Sequence, residues 1–463
     1  MRALSVSMLL LLSASRASAT APPNLYENGQ SYPLGSRAAG MGGAYTALAC
    51  DEAALHYNPA ALGCAARSRV EIAANAYMLQ RLDSPDALGP GQDISATSYH
   101  PLPSIAGFVR RIGDGIGVGF SVSVPRSIFL AVDPPHPEQK DYFAITVRDD
   151  LLVADLGAGW QVTPSLAIGA SLGGLLRTSQ SHSEVLLVRQ SASPCAITDG
   201  CFDFVASTSD TELLSLGARA KLGVRWTPLS SLSLGLVFTT PTVDLYGSAR
   251  LSTSTTFALA GSGGTAFGAV PERSRGSSDL ALPGRIVLGA ALDLPDVVLS
   301  LDLALALPRQ ARIARDLVPV VVEGVPPSDP PPGDTVLTSE IQPNISFGAE
   351  IALNEDVVLD FGAFTDLSST SGADVEEGVA DHIDMFGATF AVGLLGKQVR
   401  SWFGVSFEIG SGTTRVRDAA LSFEQLAMGE GGTVESSYTR WNLVGTIGTS
   451  YAFIDDADIP EGK

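Results

Sequence analysis

The stretch LGARAKLGVRWTPLSSLSLGLVF, residues 216–238, alternates apolar with polar or small side chains on both sides of a short turn. Before the turn, one set of alternate positions holds Leu216, Ala218, Ala220, Leu222, Val224 and Trp226, and the other holds Gly217, Arg219, Lys221, Gly223 and Arg225. After the turn Thr227-Pro228-Leu229-Ser230, the alternate apolar positions are Leu232, Leu234, Leu236 and Phe238. Successive side chains of a β-strand point to opposite faces, so this stretch predicts a hairpin with one apolar face.

The same alternation recurs along the chain, in stretches 152–160, 297–305, 403–409 and 443–453. A soluble sandwich needs a second sheet to cover so many apolar faces, whereas lipid covers them in a membrane barrel. We therefore expect an all-β fold, a transmembrane antiparallel β-barrel. A soluble, secreted all-β protein is the alternative.

Connections of two lengths separate the predicted strands. Short turns lie at 113–115, 163–165, 228–231, 294–296, 354–355 and 396–398, and long polar stretches lie at 81–102, 126–142, 180–206, 255–279, 311–337, 368–381 and 413–436. Short turns on one rim and long loops on the other are typical of outer-membrane barrels. Six short and seven long connections join 14 strands, an even number that leaves both termini in the periplasm. Trp160 and Trp226 precede short turns, where an aromatic girdle is expected.

The composition fits a membrane barrel better than a soluble protein. Of 463 residues, 45% are hydrophobic and 17% are charged, and the mean hydropathy is +0.22. After residue 19 there is no run of about 18 apolar residues, so no transmembrane helix is predicted. The net charge of −20 argues against a nucleic-acid partner, because such binding needs basic patches that displace counterions.

Residues 1–19 have the features of a secretory signal peptide. Arg2 gives a positive start, Leu9 to Leu12 form an apolar run, and Ala17-Ser18-Ala19 is a small-residue cleavage site. We expect export and insertion into the outer membrane of a Gram-negative cell as a multi-pass barrel.

The four cysteines suit an oxidising compartment. Cys195 and Cys201 are close enough for a small loop bridge, while Cys50 and Cys64 bracket the end of a glycine-rich segment. Four cysteines allow three pairings, so the connectivity stays open.

No catalytic pattern is present. The five histidines, His56, His100, His136, His182 and His382, are scattered without metal-ligand spacing. The sequence also lacks a G-x-S-x-G nucleophile elbow. We expect no enzyme activity, no cofactor and no metal, and an outer-membrane phospholipase is a distant alternative that lacks a credible Ser/His pair.

Charged residues occupy positions opposite the apolar face of the predicted strands. They are Asp155, Arg219, Lys221, Arg225, Asp302, Asp360 and Glu408. Charges facing lipid are costly, so these side chains are expected to face the lumen. They either pair with each other or with a plug, or else Arg219, Lys221 and Arg225 meet a carboxylate substrate. The acidic pairs Asp149-Asp150 and Glu376-Glu377 are interpreted as solvated loop acids rather than as cation sites.

Residues 35–63, GSRAAGMGGAYTALACDEAALHYNPAALG, form the glycine-rich segment. No Lys-Ser/Thr follows the glycines, so the segment is not a phosphate-binding loop. Its apolar anchors, such as Tyr45, Leu55 and Leu62, argue against a flexible linker. A compact plug whose small residues pack closely inside a lumen is the remaining interpretation.

This segment resembles the N-terminal signature of the FadL/TodX outer-membrane transport family. The resemblance rests on three parts of the segment: the glycine-arginine-alanine stretch 35–44, the acidic pair within 51–54, and the asparagine-proline-alanine stretch 58–62. Residues 216–240 and Leu282-Pro283 also resemble the family. The signature covers about thirty residues. The chain departs from the family after Phe453, where an acidic tail follows in place of a terminal aromatic signal.

The resemblance implies a monomeric barrel of about 14 strands closed by an N-terminal hatch. The expected parts are the signal at 1–19, the hatch at 20–66, the barrel at 67–453 and an acidic tail at 454–463. The hatch and gating residues carried over from the signature are Arg37, Gly40, Gly42, Gly43, Asn58, Pro59 and Ala60.

The function implied is passive uptake of hydrophobic small molecules, such as long-chain fatty acids or hydrocarbons, with outer-membrane lipid around the barrel. The alternative is a secretion-associated or structural barrel that binds a protein partner and does not transport lipid.

Overall fold

The computed structural model describes residues 28, 33–65, 67–85, 93–132, 142–190, 202–261, 264–280, 282–320, 334–376, 380–417 and 433–453. The predicted signal peptide, Cys195 and Cys201, and the tail after Phe453 lie outside these residues.

Within these described residues, three short α-helices and one 3₁₀ helix accompany eighteen strand segments. The helices are α1 (Ser36–Gly40), α2 (Ala54–Tyr57), the 3₁₀ helix (Pro59–Cys64) and α3 (Gly372–Glu376). The first nine strands are β1 (Arg69–Ser84), β2 (Ile94–Arg111), β3 (Ile116–Val132), β4 (Tyr142–Thr163), β5 (Leu166–Gln190), β6 (Phe202–Leu229), β7 (Leu232–Thr239), β8 (Val243–Gly261) and β9 (Gly264–Ser277). The others are β10 (Arg285–Asp293), β11 (Val297–Ala306), β12 (Arg309–Pro319), β13 (Thr335–Ser339), β14 (Gln342–Ala352), β15 (Val357–Asp366), β16 (His382–Leu395), β17 (Val399–Arg417) and β18 (Thr433–Ala452).

These segments form one closed antiparallel barrel of 14 wall strands. Strand β18 pairs with β1 along almost its whole length, which closes the wall. Four wall strands are each interrupted once, as β7/β8, β9/β10, β11/β12 and β13/β14, so 18 segments minus four interruptions give 14 strands. The predicted all-β barrel and its strand number are confirmed.

The four interruptions lie side by side in the wall. On one side of them β7 pairs with β10, β10 with β11 and β11 with β14, while on the other β8 pairs with β9, β9 with β12 and β12 with β13. A proline lies at or next to each interruption, at Pro241, Pro283, Pro308 and Pro343. Proline has no backbone donor for the ladder, so it ends regular pairing there.

The wall alternates as the sequence predicted. Large apolar side chains such as Leu156 and Leu172 face outward, with 63% and 71% of their surfaces exposed. Their neighbours Asp155 and Ser171 are buried on the lumen side. Among the residues described, no helix is long and apolar enough to cross a membrane.

Several strands run further than the sequence analysis placed them. Strands β5 and β6 contain 25 and 28 residues, although about ten suffice to cross the hydrocarbon region. The ranges 180–206 and 255–279, expected to be long loops, therefore contain the ends of β5, β6 and β8 and the whole of β9. Outside the membrane a strand needs no apolar face. The polar ends of these strands therefore look like loops in the sequence.

Candidate functional site

The N-terminal segment, residues 33–65, is a compact unit inside the barrel. Its three helical turns surround a core in which Tyr45, Leu55 and Leu62 are fully buried. A disulfide joins Cys50 to Cys64 across the second half of this unit. Closing a loop of this length lowers the entropy of the unfolded chain, which stabilises the folded segment by about 3 kcal/mol.

Small residues let the N-terminal segment approach the wall at backbone distance. Gly42 has φ +61°, and a Cβ there would lie 2.9 Å from the backbone nitrogen of Ala363. A Cβ on Gly40 would lie 2.8 Å from Cβ of Asp360 on β15. On the wall, a Cβ on Gly169 would lie 2.4 Å from the carbonyl of Pro59. Both surfaces therefore need glycine to fit together.

Asn58 and Pro59 tie the start of the 3₁₀ helix to the wall. The amide nitrogen of Asn58 donates to the carbonyl of Thr46 at 2.9 Å and to that of Val224 on β6 at 3.1 Å. Its amide oxygen accepts from the backbone N–H of Ala60 at 3.1 Å, which caps the helix. Proline suits the first helical position because its missing N–H has no partner there.

Arg37 connects the N-terminal segment to β14. Its Nε and Nη2 donate to the two carboxylate oxygens of Glu350 at 2.6 and 2.8 Å. The guanidinium carbon also lies 5.7 Å from the ring centre of Tyr45. A bidentate pair of this kind fixes both position and orientation.

A second set of contacts lies on the β18 and β1 side. The hydroxyl of Ser450 donates to Glu52 at 2.6 Å, and the backbone N–H of Ser36 donates to Glu71 at 2.7 Å. Burial first, and then the nearby charge of Asp51, raises the pKa of Glu52 to about 7.

Three of the predicted lumen-facing charges bond directly to the backbone of the N-terminal segment. Asp302 accepts from the N–H groups of Tyr45 and Thr46 at 3.0 and 2.9 Å. The ammonium of Lys221 donates to the carbonyl of Leu55 at 2.8 Å, and Arg225 Nε donates to that of Ala47 at 2.9 Å.

The other predicted charges lie elsewhere on the lumen side. Asp155 pairs with Lys221 at 2.9 Å, and Asp360 lies against Gly40. Glu408 accepts from the side-chain amide of Asn442 at 2.8 Å. Asp149, predicted to be a solvated loop acid, is instead buried between Arg126 and Arg177, each within 2.8 Å.

A cavity of about 180 Å³ lies between the N-terminal segment and the wall. Part of its lining is apolar, from Ile128, Leu151, Val237, Leu282, Val287 and Met385. Cations line another part, including Arg219, Lys221 and Arg285. His56 also faces the cavity, and burial, followed by the charges of Lys221 and Arg219, lowers its pKa well below the usual value.

Several buried polar atoms at this cavity lack a hydrogen-bond partner within the described residues, among them acceptor oxygens of Asp302 and Glu408 and nitrogens of Arg219 and His56. Within the described part of the chain, neither the buried Nε of Arg219 nor the buried Nδ1 of His56 has a hydrogen-bond partner. Buried polar groups are nearly always bonded, so an unpaired donor at a cavity marks a place for an acceptor.

No protein-family model and no curated protein sequence matches the chain. Solved structures do match. A FadL homologue of Pseudomonas aeruginosa is 13% identical with a TM-score of 0.58, and the match covers 93% of this chain and all of that one. The toluene transporter TodX of P. putida is 16% identical with a TM-score of 0.58, covering 92% and 99% of the two chains. The toluene transporter TbuX of Ralstonia pickettii is 13% identical with a TM-score of 0.54, covering 91% and 99%.

The fold is that of the FadL/TodX barrels. The chain is therefore an outer-membrane β-barrel of the Gram-negative type. At these identities the likeness concerns the fold; of the neighbours named, TodX and TbuX are toluene transporters.

Within this barrel, the residues suggested by the signature lie together. Arg37, Gly40, Gly42, Asn58 and Pro59 each contact the wall, while Gly43 has φ +77° and faces the cavity. Ala60 packs in the same interface, beside Gly169 and Gly223.

The suggested cluster of Arg219, Lys221 and Arg225 is divided between two places. Arg219 and Lys221 line the cavity, whereas Arg225 donates to Ala47 and to the hydroxyl of Ser233 at 3.0 Å. Sequence reasoning missed Arg285 and His56, which line the cavity with Arg219. Arg285 opens β10 directly after Pro283 and Gly284, a lumen-side position that only the interrupted wall reveals.

Proposed function

We propose that this protein is a passive outer-membrane channel for the uptake of hydrophobic small molecules. The N-terminal segment acts as the hatch, and its movement opens the lumen. The wall contacts of Arg37, Glu52 and Asn58 support this role, because they hold the segment across the lumen from several sides. Transport needs no reaction and no cofactor.

The cavity carries the proposal. It combines apolar side chains with the unpaired Nε of Arg219. Such a site suits an amphiphile, with an apolar body against residues like Leu151 and Val237 and an anionic end on the guanidinium. A long-chain fatty acid has this chemistry, so we place it ahead of a neutral hydrocarbon as the ligand. Because the structural neighbours TodX and TbuX are toluene transporters, toluene is the comparison compound.

Binding and uptake by the full chain test the proposal. Purified protein in liposomes is expected to bind labelled oleate and to admit it into the vesicle. In Arg219→Gln, oleate binding is expected to fall about tenfold or more, because a hydrogen bond to a charged group is lost. Toluene binding should be unchanged in that variant. Arg148→Gln, on the outer face and paired with Asp150, is the matched control and should bind oleate normally.

Two results would overturn the proposal. One is a wild-type protein that neither binds nor admits oleate or toluene. The other is a stoichiometric surface protein that co-purifies while uptake is absent, which would favour the secretion-associated barrel. If toluene enters and oleate does not, the channel stands and the preference for a carboxylate is wrong.

A further inference from the structure

Three arginines form a group on the outer face of the barrel, on two neighbouring strands. Arg250 on β8 is the ladder partner of Arg275 on β9, and Ser252 is the partner of Arg273. All three arginines are exposed, and the side chain of Arg250 keeps 66% of its surface. The residues between them, Ser274 on β9 and Ala249 on β8, are buried on the lumen side. The three guanidinium groups therefore share the outward face.

This group, the Arg250/Arg273/Arg275 patch, lies where the lipid-facing surface ends. On the adjacent β6, the outward residues Leu216 and Leu214 are apolar, and the next outward residue is Glu212, directly opposite Arg250. Tyr246, opposite Leu216, is 58% exposed. It lies two outward positions before Arg250, or about 13 Å along the strand. A tyrosine at this height is typical of the interfacial girdle of a membrane barrel.

The patch also has an apolar neighbour at the same level along the barrel axis. Val318 on β12 is the ladder partner of Arg275, and 65% of its surface is exposed. Guanidinium groups thus lie next to apolar side chains on a rigid sheet. This arrangement is complementary to a lipid, in which an anionic headgroup lies next to apolar acyl chains.

The protein does not neutralise the patch. Glu212 lies 3.7 Å from Arg250, while Arg273 and Arg275 have no ion pair within the described residues. Three arginines less one glutamate leave a net charge of +2 in a chain whose total is −20. The nearby acids are engaged elsewhere: Asp210 lies 2.7 Å from His182, and Asp316 lies 3.6 Å from Arg315.

We propose that the Arg250/Arg273/Arg275 patch binds the phosphate of a glycolipid headgroup in the outer leaflet, with the acyl chains against Val318 and Tyr246. Arginine suits this role because its planar fork donates two parallel hydrogen bonds to phosphate. Directly opposite and diagonal neighbours in a sheet lie within about 8 Å, so three long side chains can converge on one headgroup. The binding does not depend on what the channel transports.

Native mass spectrometry of the full chain tests the site. Protein in detergent is titrated with bis-phosphorylated lipid A and, separately, with the same lipid lacking both phosphates. The wild type is expected to retain the phosphorylated lipid. The triple variant Arg250→Gln, Arg273→Gln, Arg275→Gln is expected to bind it about 100-fold more weakly, since each interfacial arginine contributes several-fold. Removing the phosphates from the lipid should weaken wild-type binding to the same degree.

The matched control is the double variant Arg148→Gln, Arg312→Gln. Both arginines are well exposed but each lies near an aspartate, Asp150 or Asp334. This variant should bind lipid A as the wild type does. Heat-modified mobility in gels checks that every variant contains a folded barrel.

Three outcomes would overturn the proposal. The first is equal binding of lipid A by the wild type and the folded triple variant. The second is equal wild-type binding of the phosphorylated and the dephosphorylated lipid. The third is full displacement of the lipid by millimolar inorganic phosphate, which would mean that the patch takes a free anion rather than a headgroup.

Discussion

Glu52 is a buried carboxyl group of the N-terminal segment whose protonation is linked to the seating of that segment. It is buried beside Asp51, and its carboxylate accepts a hydrogen bond from Ser450 on the wall. Burial and the charge of Asp51 raise its pKa from 4.5 to about 7. The seated N-terminal segment therefore keeps a proton on Glu52 that an exposed side chain would release.

The contribution of Glu52 to seating of the N-terminal segment is expected to weaken as pH rises from about 4.5 to 7 and to be constant above that range. The sign follows because the seated state binds more protons within this window. Leak conductance of the full chain in planar bilayers should therefore be lower at pH 5 than at pH 8. Glu52→Gln should reduce this dependence, while Asp114→Asn, in an exposed turn, should retain it in full. A pH dependence that is unchanged in Glu52→Gln would contradict the assignment.

The N-terminal segment is held together both by a disulfide and by a packed apolar core. Its residues were recognisable in the sequence by their glycines, their apolar anchors and the Asn58-Pro59 pair. The sequence does not determine that Cys50 pairs with Cys64, because four cysteines allow three connectivities. Folding decides the pairing by bringing the end of the 3₁₀ helix beside Cys50.

Removing the Cys50–Cys64 disulfide is expected to loosen this element without unfolding the barrel. In the double variant Cys50→Ser, Cys64→Ser, amide hydrogen exchange in residues 45–65 should accelerate about 100-fold, as the loop-closure entropy predicts. Exchange in β4 and β5 should not change. The variant Cys195→Ser, Cys201→Ser serves as the control. Unchanged exchange in residues 45–65 would show that packing alone holds the segment.

The strands were the elements that the sequence predicted best. Alternation at residues 216–238 depends only on near neighbours, so it identified β6 and β7 directly. It failed where strands leave the membrane, because the outer halves of β5 and β6 lose their apolar face. It also failed at the four wall interruptions, although Pro241, Pro283 and Pro308 were visible in the sequence.

At the scale of the whole molecule, the N-terminal segment and the barrel form one structure through pairs that are distant in sequence. Arg37 and Glu350 are separated by 313 positions, and Glu52 and Ser450 by 398. Each pair exists only when the barrel has closed around the segment. Closure and plugging are therefore coupled.

Breaking the Arg37–Glu350 pair is expected to open the lumen more often. Arg37→Gln should cost on the order of 2 kcal/mol of seating energy, between the values of surface and buried pairs, and should raise leak conductance more than tenfold. The double variant Arg37→Gln, Glu350→Gln should leak less than the sum of the two single effects. As a control, Arg148→Gln with Asp150→Asn breaks an exposed pair and should not change the leak. Unchanged conductance in Arg37→Gln would exclude this pair as a latch.

The sequence by itself determined that this protein is a membrane barrel of 14 strands with a small-residue segment before it. Period-two alternation and connection length are local properties of the sequence. The bilayer imposes the alternation, because the side chains that face lipid must be apolar. Only the tertiary structure decided which charges hold the N-terminal segment and which ones face the cavity. Lys221, Arg225 and Arg219 all lie on one face of one strand, yet the first two bond to the N-terminal segment, while the Nε of Arg219 has no hydrogen-bond partner within the described residues. That division depends on the backbone placed opposite each side chain, and that backbone comes from a distant part of the chain.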